Sequence, residues 1–384
     1  MSDNIPLGLY IHIPWCIKKC PYCDFNSHEL GSELPEREYI DALLADLEQD
    51  LQLYQETRAL SSIFIGGGTP SLFSAAALAG LLADIEQRIP FAANIEITLE
   101  ANPGTFESNK FAEFRATGIN RLSIGVQSFN DAMLKQLGRI HNADEAIKAA
   151  NIAHESGFEN FNIDLMFGLP QSDIDTSVAD IRTAIELQPT HISFYQLTLE
   201  PNTYFHKFPP PLPSHDDIYL VQQNCREVLA VNGYQQYEIS AYSQVDKQCR
   251  HNLNYWQFGD YLGIGAGAHG KITRALPEQV SRYWKLKNPQ QYLSGLKARQ
   301  FTGSSQTIAS PDMPLEFVMN NLRLKTGFSL AAYQILTGLS SNTLEPALSD
   351  CINQGLLAQN GDTITSTEKG WDFLDLILEK FVPI

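Results

Sequence analysis

Three cysteines lie close together near the start of the chain, with the spacing Cys16-x-x-x-Cys20-x-x-Cys23. Thiolates are soft metal ligands, and three of them in one short loop cannot all pair in disulfides. They can hold three irons of a [4Fe–4S] cluster and leave the fourth iron without a protein ligand. An iron with an open position can coordinate a small molecule. A zinc site with His28 as fourth ligand is the alternative, although zinc motifs favour paired Cys-x-x-Cys units.

The cysteine spacing, Tyr22 before the third cysteine and the lead-in IHIPWC (residues 11–16) resemble the radical S-adenosylmethionine (SAM) superfamily. In that superfamily the open iron chelates the amino and carboxylate groups of SAM. An electron from the cluster then breaks a carbon–sulfur bond and gives a 5′-deoxyadenosyl radical. The lead-in is similar to the branch that contains oxygen-independent coproporphyrinogen oxidases and heme chaperones of the HemW type. The resemblance covers nearly the whole chain and implies a [4Fe–4S] cluster, SAM and heme as bound groups.

Composition excludes several classes of partner. The chain has 384 residues and a formal net charge of −17, which argues against nucleic acid and against strong attraction to an anionic membrane surface. It has no continuous apolar run long enough to span a bilayer and no signal-peptide pattern at the start, so we expect a cytoplasmic protein. The three other cysteines, Cys225, Cys249 and Cys351, are scattered and are expected to be plain thiols in a reducing compartment.

The first two thirds of the chain alternate strand-like and helix-like patterns. Six such repeats predict an α/β fold with a parallel sheet and right-handed crossovers. The resemblance implies a partial TIM-type (β/α)6 barrel, which periodicity alone does not separate from a doubly wound sheet. The predicted strands are residues 8–13, 61–65, 95–100, 121–126, 160–165 and 191–197. The predicted helices are residues 36–55, 74–88, 106–117, several turns within 130–156, 173–187 and 214–232. A further strand is predicted near 237–241.

Three regions are expected along the chain. Residues 1–273 form the barrel with the cluster loop and a porphyrin-binding segment, and the polar, weakly patterned residues 274–313 form a connector. Residues 314–384 resemble the small C-terminal domain of the same branch, which has a winged-helix-like α+β order. Its expected features are a hairpin that turns at Asn360-Gly361 and a last helix over 367–380. From residue 311 onward the chain has four basic and nine acidic residues, which argues against DNA binding.

Parallel α/β folds place their chemistry at the carboxyl ends of the strands, and polar residues fall there in this sequence. The second strand ends in Gly66-Gly67-Gly68-Thr69, where the backbone can approach a ligand closely and its N–H groups are expected to point outward. The third to sixth strands end near Glu100, Gln127, Asp164 and Gln196.

The resemblance assigns roles to these positions. It places Tyr10 and Tyr22 beside the cluster and SAM, and Gly67, Gly68 and Thr69 at the methionine moiety. The SAM polar groups are assigned to Glu100, Gln127, Arg139 and Asp164. An arginine suits a carboxylate because the two can form paired hydrogen bonds.

Two features distinguish an oxidase from a chaperone. The oxidases have a fourth cysteine two residues after the third, and here that position is Phe25. The segment His251-Asn-Leu-Asn-Tyr255-Trp256 resembles the HNxxYW segment of the chaperones. Neutral imidazole is a good heme ligand and aromatic rings stack on porphyrins, so we predict a heme site from His251, Tyr255, Trp256 and His269.

The predicted function is therefore a heme chaperone that binds one heme and hands it to cytoplasmic or membrane-associated apo-hemoproteins. The alternative is an oxygen-independent coproporphyrinogen III oxidase, which decarboxylates propionate side chains by radical chemistry. A third hypothesis is a radical SAM enzyme that acts on another tetrapyrrole or on a protein. Whether the cluster controls dimerisation or docking at a membrane surface is a question that the sequence leaves open.

Overall fold

Six parallel strands form the centre of the fold in this computed structural model, which describes residues 5–31, 33–104, 108–274 and 280–383. The strands pair side by side in chain order, and all neighbouring pairs are parallel. Most of their residues are buried because helices cover the sheet. The six predicted strands are therefore confirmed, as β1 Leu7–Ile13, β2 Leu60–Gly67, β3 Phe91–Ala101, β4 Arg121–Gln127, β5 Phe161–Phe167 and β6 His191–Gln196.

The connecting helices begin at polar caps that satisfy their first backbone N–H groups. Asn142 and Glu145 form a capping box, and Ser74 accepts a hydrogen bond from the N–H of Ala77 at 3.2 Å. The predicted helix 106–117 starts outside the described residues, and its described part is one short helix. The helices are α1 Glu36–Tyr54, α2 Ala75–Arg88, α3 Phe111–Ala116, α4 Asp131–Gln136, α5 Ala143–Glu155 and α6 Ile174–Glu186.

The sheet continues beyond both sides of this parallel core. On one side it adds two short antiparallel strands separated by a turn at residues 239–240, where the sequence predicted one strand over 237–241. On the other side a strand that the sequence did not predict pairs in parallel with β1, so that Tyr10 lies opposite Gly263. The elements are α7 Tyr204–Lys207, α8 His215–Val231, β7 Gln235–Glu238, β8 Ala241–Ser243, α9 Arg250–Trp256 and β9 Asp260–Ile264.

The predicted connector 274–313 is regular structure in its described part, which corrects that prediction. It contains two strands and a helix, and its strands pair antiparallel with the strand before them in the same sheet. The segment looked like a connector because the last strand lies at the edge with exposed, mostly hydroxyl side chains. The boundaries of the three predicted regions stay a prediction. The elements are β10 His269–Thr273, β11 Val280–Lys285, α10 Pro289–Ala298 and β12 Thr302–Thr307.

A buried ion network joins this extension to the first helix. The ammonium of Lys285 lies 2.6 Å from Asp46 and 2.7 Å from Asp50, and all three side chains are buried. The hydroxyls of Tyr292 and Tyr283 donate to Asp46 and Asp50 at 2.6 and 2.9 Å. Burial raises the pKa of Asp50 to about 7, although the charge of Lys285 opposes that shift.

The C-terminal part has the helix and strand order that the sequence predicted. Phe317 is at the centre of its core and packs against Phe328 and Tyr333. The hairpin is present, but the two residues between its strands are Gly361 and Asp362, one position later than predicted. The predicted last helix is two helices that meet at Phe373. The elements are α11 Met313–Asn321, β13 Phe328–Ser329, α12 Leu330–Thr337, α13 Ala347–Asn353, β14 Leu357–Asn360, β15 Thr363–Ser366, α14 Glu368–Asp372 and α15 Leu374–Lys380.

Within the described ranges, none of the helices combines the length and the apolar character that a membrane span requires.

Candidate functional site

The cysteine loop follows β1 and is closed by a short parallel pairing of Trp15–Cys16 with His28–Glu29. Its three cysteines are free and half-buried. The Lys19 ammonium stabilises the loop by donating hydrogen bonds to the carbonyls of Phe25 and Ser27 at 3.2 and 3.1 Å.

Two of the thiols, those of Cys16 and Cys23, favour the protonated state when nothing is bound to them. Burial raises the pKa of Cys16 to about 11 and also raises the pKa of Cys23. A metal ligand must be a thiolate, so binding of a cluster would release protons and would fix the loop.

The donor set fits a cluster held by three protein thiolates better than it fits zinc. Cys16, Cys20 and Cys23 all line one cavity, whereas His28 is not among its lining residues. The His28 Nε2 atom lies 3.3 Å from the side-chain oxygen of Asn26 and so contacts Asn26 rather than the cysteine cavity. His28 is therefore not placed at this cavity as the fourth ligand of a tetrahedral zinc site.

The glycine loop after β2 packs tightly against β1 and the cysteine loop. A Cβ atom on Gly67 would lie 2.5 Å from the His12 ring, and one on Gly68 would lie 2.5 Å from the carbonyl oxygen of Trp15. Gly67 also has a φ of 113°, in the region that favours glycine. The glycines therefore permit close approach of this loop to β1 and to the cysteine loop, whereas close approach to a ligand stays a prediction.

The prediction that the N–H groups of this loop point outward is wrong. The N–H of Gly67 donates to Glu100 Oε2 at 2.8 Å. The N–H groups of Gly68 and Thr69 donate to the carbonyls of Ile13 and Trp15, both at 2.7 Å. These donors hold the loop to its neighbours and are not available to a ligand.

The first cavity, of about 410 Å³, gathers nearly all residues that were assigned to the cluster and SAM. They come from the cysteine loop, from the carboxyl-terminal halves of four strands, which parallel pairing places side by side, and, for Arg139, from the segment after α4. The assigned residues that line it are Cys16, Cys20, Cys23, Tyr22, Gly67, Gly68, Thr69, Glu100, Gln127, Arg139 and Asp164. Tyr10 lies next to it, on the wall of a second cavity.

Arg139 is placed to receive an anionic group. Its Nη2 donates to the carbonyl of Gly125 at 2.7 Å and to Asn102 at 2.8 Å, and its Nη1 lies 3.6 Å from Cys20 Sγ. Among the described residues, its buried Nε has no hydrogen-bond acceptor. A buried donor without a partner at the wall of a cavity fits a ligand carboxylate.

Two of the carboxyls that line this cavity, those of Glu100 and Asp164, resist ionisation. Burial raises the pKa of Glu100 to about 8, and the charge of Asp164 adds to the shift. Burial also raises the pKa of Asp164, against hydrogen bonds from Asn162 at 2.7 Å and Ser123 at 3.0 Å. A cationic ligand would stabilise the ionised form of both groups.

Gln127 has a strained backbone at the same edge. Its φ is 73°, which is uncommon for a residue with a side chain, and its Oε1 accepts the hydroxyl of Tyr195 at 2.7 Å. Such strain is typical of binding sites, where the surrounding structure fixes a side chain in position.

A second cavity, of about 620 Å³, adjoins the first one. The two share Cys23, Asp24, Phe25, Gly67 and Glu100 as wall residues. Aromatic and cationic side chains complete the second cavity, and these are Tyr10, Phe64, Tyr255, Tyr261, His269, Lys19 and Lys287. This combination suits a flat apolar ligand that carries carboxylates.

The four predicted heme residues divide into two pairs. Tyr255 and His269 line the second cavity, whereas His251 and Trp256 do not. The His251 ring is buried, stacks on Phe64 at 4.2 Å between centroids, and its Nδ1 lies 3.0 Å from Glu96. Their part in heme binding stays a prediction for all four residues.

Sequence reasoning missed the cationic residues of the second cavity. Lys287 follows β11 in the segment that looked like a connector, and Lys19 lies between the cysteines without a pattern of its own. The available signal was the strand-like run of residues 280–285, which ends two residues before Lys287. In the structure this run is a strand with Val280, Tyr283 and Lys285 buried.

The chain matches two family models, the radical SAM superfamily over residues 10–181 and the HemN C-terminal domain over residues 308–373. It is 50% identical over 380 residues to the heme chaperone HemW of Haemophilus influenzae, with 98% of each chain covered. It is 47% identical over 378 residues to the heme chaperone HemW of Escherichia coli, again with 98% of each chain covered. Coproporphyrinogen III oxidase (HemN) of Escherichia coli superposes with a TM-score of 0.83 at 24% identity, over 99% of this chain and 90% of that chain. The last likeness concerns the fold alone and confirms the predicted radical SAM fold.

Proposed function

This chain belongs to the radical SAM superfamily and, within it, to the HemW family of heme chaperones, and we propose that it binds one heme and transfers it to an apo-hemoprotein. The observation that carries the proposal is the pair of adjoining cavities with a common wall. One cavity has the residues that suit a cluster and SAM, and the other has the size, the aromatic rings and the cations that suit a porphyrin.

In this proposal the first cavity holds the cluster on Cys16, Cys20 and Cys23 and holds SAM on the strand ends. When bound, the cluster supplies the electron for reductive cleavage of SAM. Arg139 would receive a carboxylate oxygen of SAM through its Nε, and Glu100 and Asp164 would balance the positive charge of the sulfonium. Tyr22 is half-buried beside Cys20 and would restrict water at the cluster.

The second cavity holds the heme. His269 is the proposed axial ligand, since burial and the charges of Lys287 and Arg282 lower the pKa of its imidazole and favour the neutral form that binds iron. Tyr255 supplies an aromatic face, and the ammonium groups of Lys19 and Lys287 suit the propionates.

An oxidase role is disfavoured by one residue. Phe25 occupies the position of the oxidases' fourth cysteine, and its side chain is 56% exposed on the wall that both cavities share. A phenyl ring cannot donate a proton or bind a metal, but it can contact a porphyrin face. We therefore expect no coproporphyrinogen oxidase activity.

Heme is the small-molecule partner in the proposal, and apo-hemoproteins are the acceptors. A cytoplasmic location agrees with three free thiols in one loop, which need a reducing compartment. Dimerisation and membrane docking remain proposals from the family resemblance.

The test is anaerobic reconstitution followed by two assays on one sample. Heme titration followed by absorbance should give one heme per chain. Incubation with SAM, reductant and coproporphyrinogen III should give no protoporphyrinogen. Cys20→Ser is the matched control, because it should lose the cluster and keep the second cavity. SAM-dependent formation of protoporphyrinogen by the wild type would overturn the proposal in favour of the oxidase.

A further inference from the structure

A buried histidine lies behind the first cavity, at the start of β6. His191 is 1% exposed and pairs with Asn162 of β5 across the sheet. Its Nδ1 atom lies 2.7 Å from Asn162 Oδ1, and its Nε2 atom lies 2.9 Å from the hydroxyl of Tyr237 on β7. Burial and the charge of Arg121 lower the pKa of His191 well below its usual value, so the ring is neutral and has one N–H group.

The proton of this neutral ring is placed by a contact at the far end. The backbone N–H of Cys249 donates to the Tyr237 hydroxyl at 3.3 Å. A backbone N–H is a donor only, so the hydroxyl accepts there and gives its own proton to Nε2 of His191. The ring then carries its proton on Nδ1 and donates it to Asn162. In the opposite direction the hydroxyl would accept from both Cys249 and His191, and its proton would lose this acceptor.

The direction of the chain orients the amide of Asn162. Its Oδ1 accepts from His191 and from the hydroxyl of Ser193 at 3.1 Å. Its Nδ2 donates to Asp164 at 2.7 Å and to the Ser123 hydroxyl at 2.8 Å. The Ser123 hydroxyl donates its own proton to the other oxygen of Asp164 at 3.0 Å. Both oxygens of Asp164 therefore accept hydrogen bonds from the protein.

This arrangement favours the carboxylate form of Asp164 at the wall of the first cavity. Burial raises the pKa of Asp164, whereas the hydrogen bonds from Asn162 and Ser123 lower it. A neutral Asp164 would fit the reversed chain, in which the carboxyl donates its proton to Asn162 Oδ1. The N–H of Cys249 works against that reversal, so a contact on α9 acts on a carboxyl in the cavity.

We propose that His191 is a positioning residue, which holds Asp164 as a hydrogen-bond acceptor for SAM in the first cavity. The inference rests on the proposed function, in which Asp164 faces the positive charge of SAM, and it adds the residues that prepare this carboxylate. SAM also has hydroxyl groups, and a carboxylate of fixed orientation can meet a charge or a donor without rearrangement. Tyr237 has the matching role at the far end, because its hydroxyl selects the tautomer of His191.

The first test measures the tautomer of His191 in the full chain. Nitrogen-15 NMR of histidine-labelled protein distinguishes a ring protonated on Nδ1 from one protonated on Nε2, and the signals that vanish in His191→Asn assign this ring among the nine histidines. Wild type should carry the proton on Nδ1. Tyr237→Phe should populate the other tautomer, because the donor to Nε2 is gone.

Tyr234→Phe is the matched control for Tyr237→Phe. It also removes one buried hydroxyl, which donates to the carbonyl of Pro189 at 2.6 Å and lies outside the chain. The tautomer of His191 should therefore be that of wild type in this variant.

The second test measures the SAM affinity of cluster-loaded protein by calorimetry, with iron and sulfide content determined for every variant. Tyr237→Phe and His191→Leu should bind SAM about tenfold more weakly than wild type, because each breaks the chain. His191→Asn keeps an N–H donor close to the position of Nδ1, so its affinity should stay within about twofold of wild type. Tyr234→Phe should bind SAM as wild type does. If His191→Leu does not fold, the comparison of the two Tyr→Phe variants decides.

The outcomes separate the inference from the proposed function. A wild-type ring protonated on Nε2, or equal SAM affinity of Tyr237→Phe and wild type, would overturn the inference and leave the proposed function intact. Equal SAM affinity of His191→Asn and His191→Leu would mean that the donor has no role, which also overturns it. Absence of SAM binding in every form would overturn the SAM site of the proposed function and this inference with it.

Discussion

Glu100 gives the most direct test of the electrostatics of the first cavity. Its carboxyl is buried at the end of β3, and burial raises its pKa to about 8. At pH 7 only about one tenth of such carboxyls are ionised. SAM carries a sulfonium, so it favours the ionised form of Glu100, and its apparent affinity is reduced by the fraction that is ionised. From pH 7 to pH 9 the ionised fraction rises to about nine tenths, and we expect the affinity to increase about tenfold, or ~1.4 kcal/mol.

Calorimetric titration of cluster-loaded protein with SAM measures this effect. At pH 7 the wild type should release about one proton per SAM bound from this group, seen as a dependence of the heat on the buffer. Glu100→Gln keeps the shape and the acceptor for the Gly67 amide but cannot ionise, so it should not show this part of the proton release. The amino group of SAM titrates in the same range, and the difference between wild type and variant removes its contribution. An equal pH dependence in both proteins would refute the assignment of the titration to Glu100.

Three further predictions concern the cluster, the heme and the fold. Cys20→Ser should lose bound iron and sulfide without loss of solubility, and full retention of both would contradict the cluster assignment. His269→Ala should reduce heme affinity by at least about tenfold. His251→Ala should leave the Soret band of bound heme unchanged and should lower the free energy of unfolding, measured in urea, by about 2 kcal/mol. A Soret shift in His251→Ala alone would favour His251 as the ligand. Lys285→Met should lower the free energy of unfolding by about 3–5 kcal/mol at pH 8, because it leaves two carboxylates buried. This loss of unfolding free energy should be smaller at pH 6, because Asp50 has a pKa of about 7 and takes up a proton there. An equal loss at pH 6 and pH 8 would contradict the prediction.

The sequence predicted the parallel core well because its signals are local. Each of the six strands is an apolar run between turns, and the polar residue at its end marks the edge where a ligand binds. Parallel pairing in chain order then brings Glu100, Gln127 and Asp164 into one cavity with the three cysteines. The spacing of residues was sufficient for this part of the site.

The rest depends on contacts between residues that are far apart in the chain. β9 is a short strand whose position is set by pairing with β1, about 250 residues earlier, and no local pattern reports that pairing. Lys285 looked like part of a polar connector because Asp46 and Asp50, which pair with its charge, lie on α1, far away in the sequence. The sequence favoured His251 and gave His269 as a second candidate, since spacing does not tell which histidine lies against Glu96 and which lies at a cavity.

The pairing of β9 with β1 explains how one fold can serve two functions. It places the glycine-rich segment beside the cysteine loop, so any ligand that enters the second cavity meets residues that also enclose the first. The TM-score of 0.83 to an oxidase at 24% identity means that this arrangement is a property of the fold and cannot by itself decide the function. Whether the protein acts as an oxidase or as a chaperone must therefore depend on the side chains of the wall that the two cavities share. An exposed Phe25 in place of a thiol removes a group that can donate or coordinate and adds a surface for a porphyrin. A protein that must release its porphyrin unchanged benefits from phenylalanine at this position. The wall that both cavities share can then contact the porphyrin without presenting a reactive side chain.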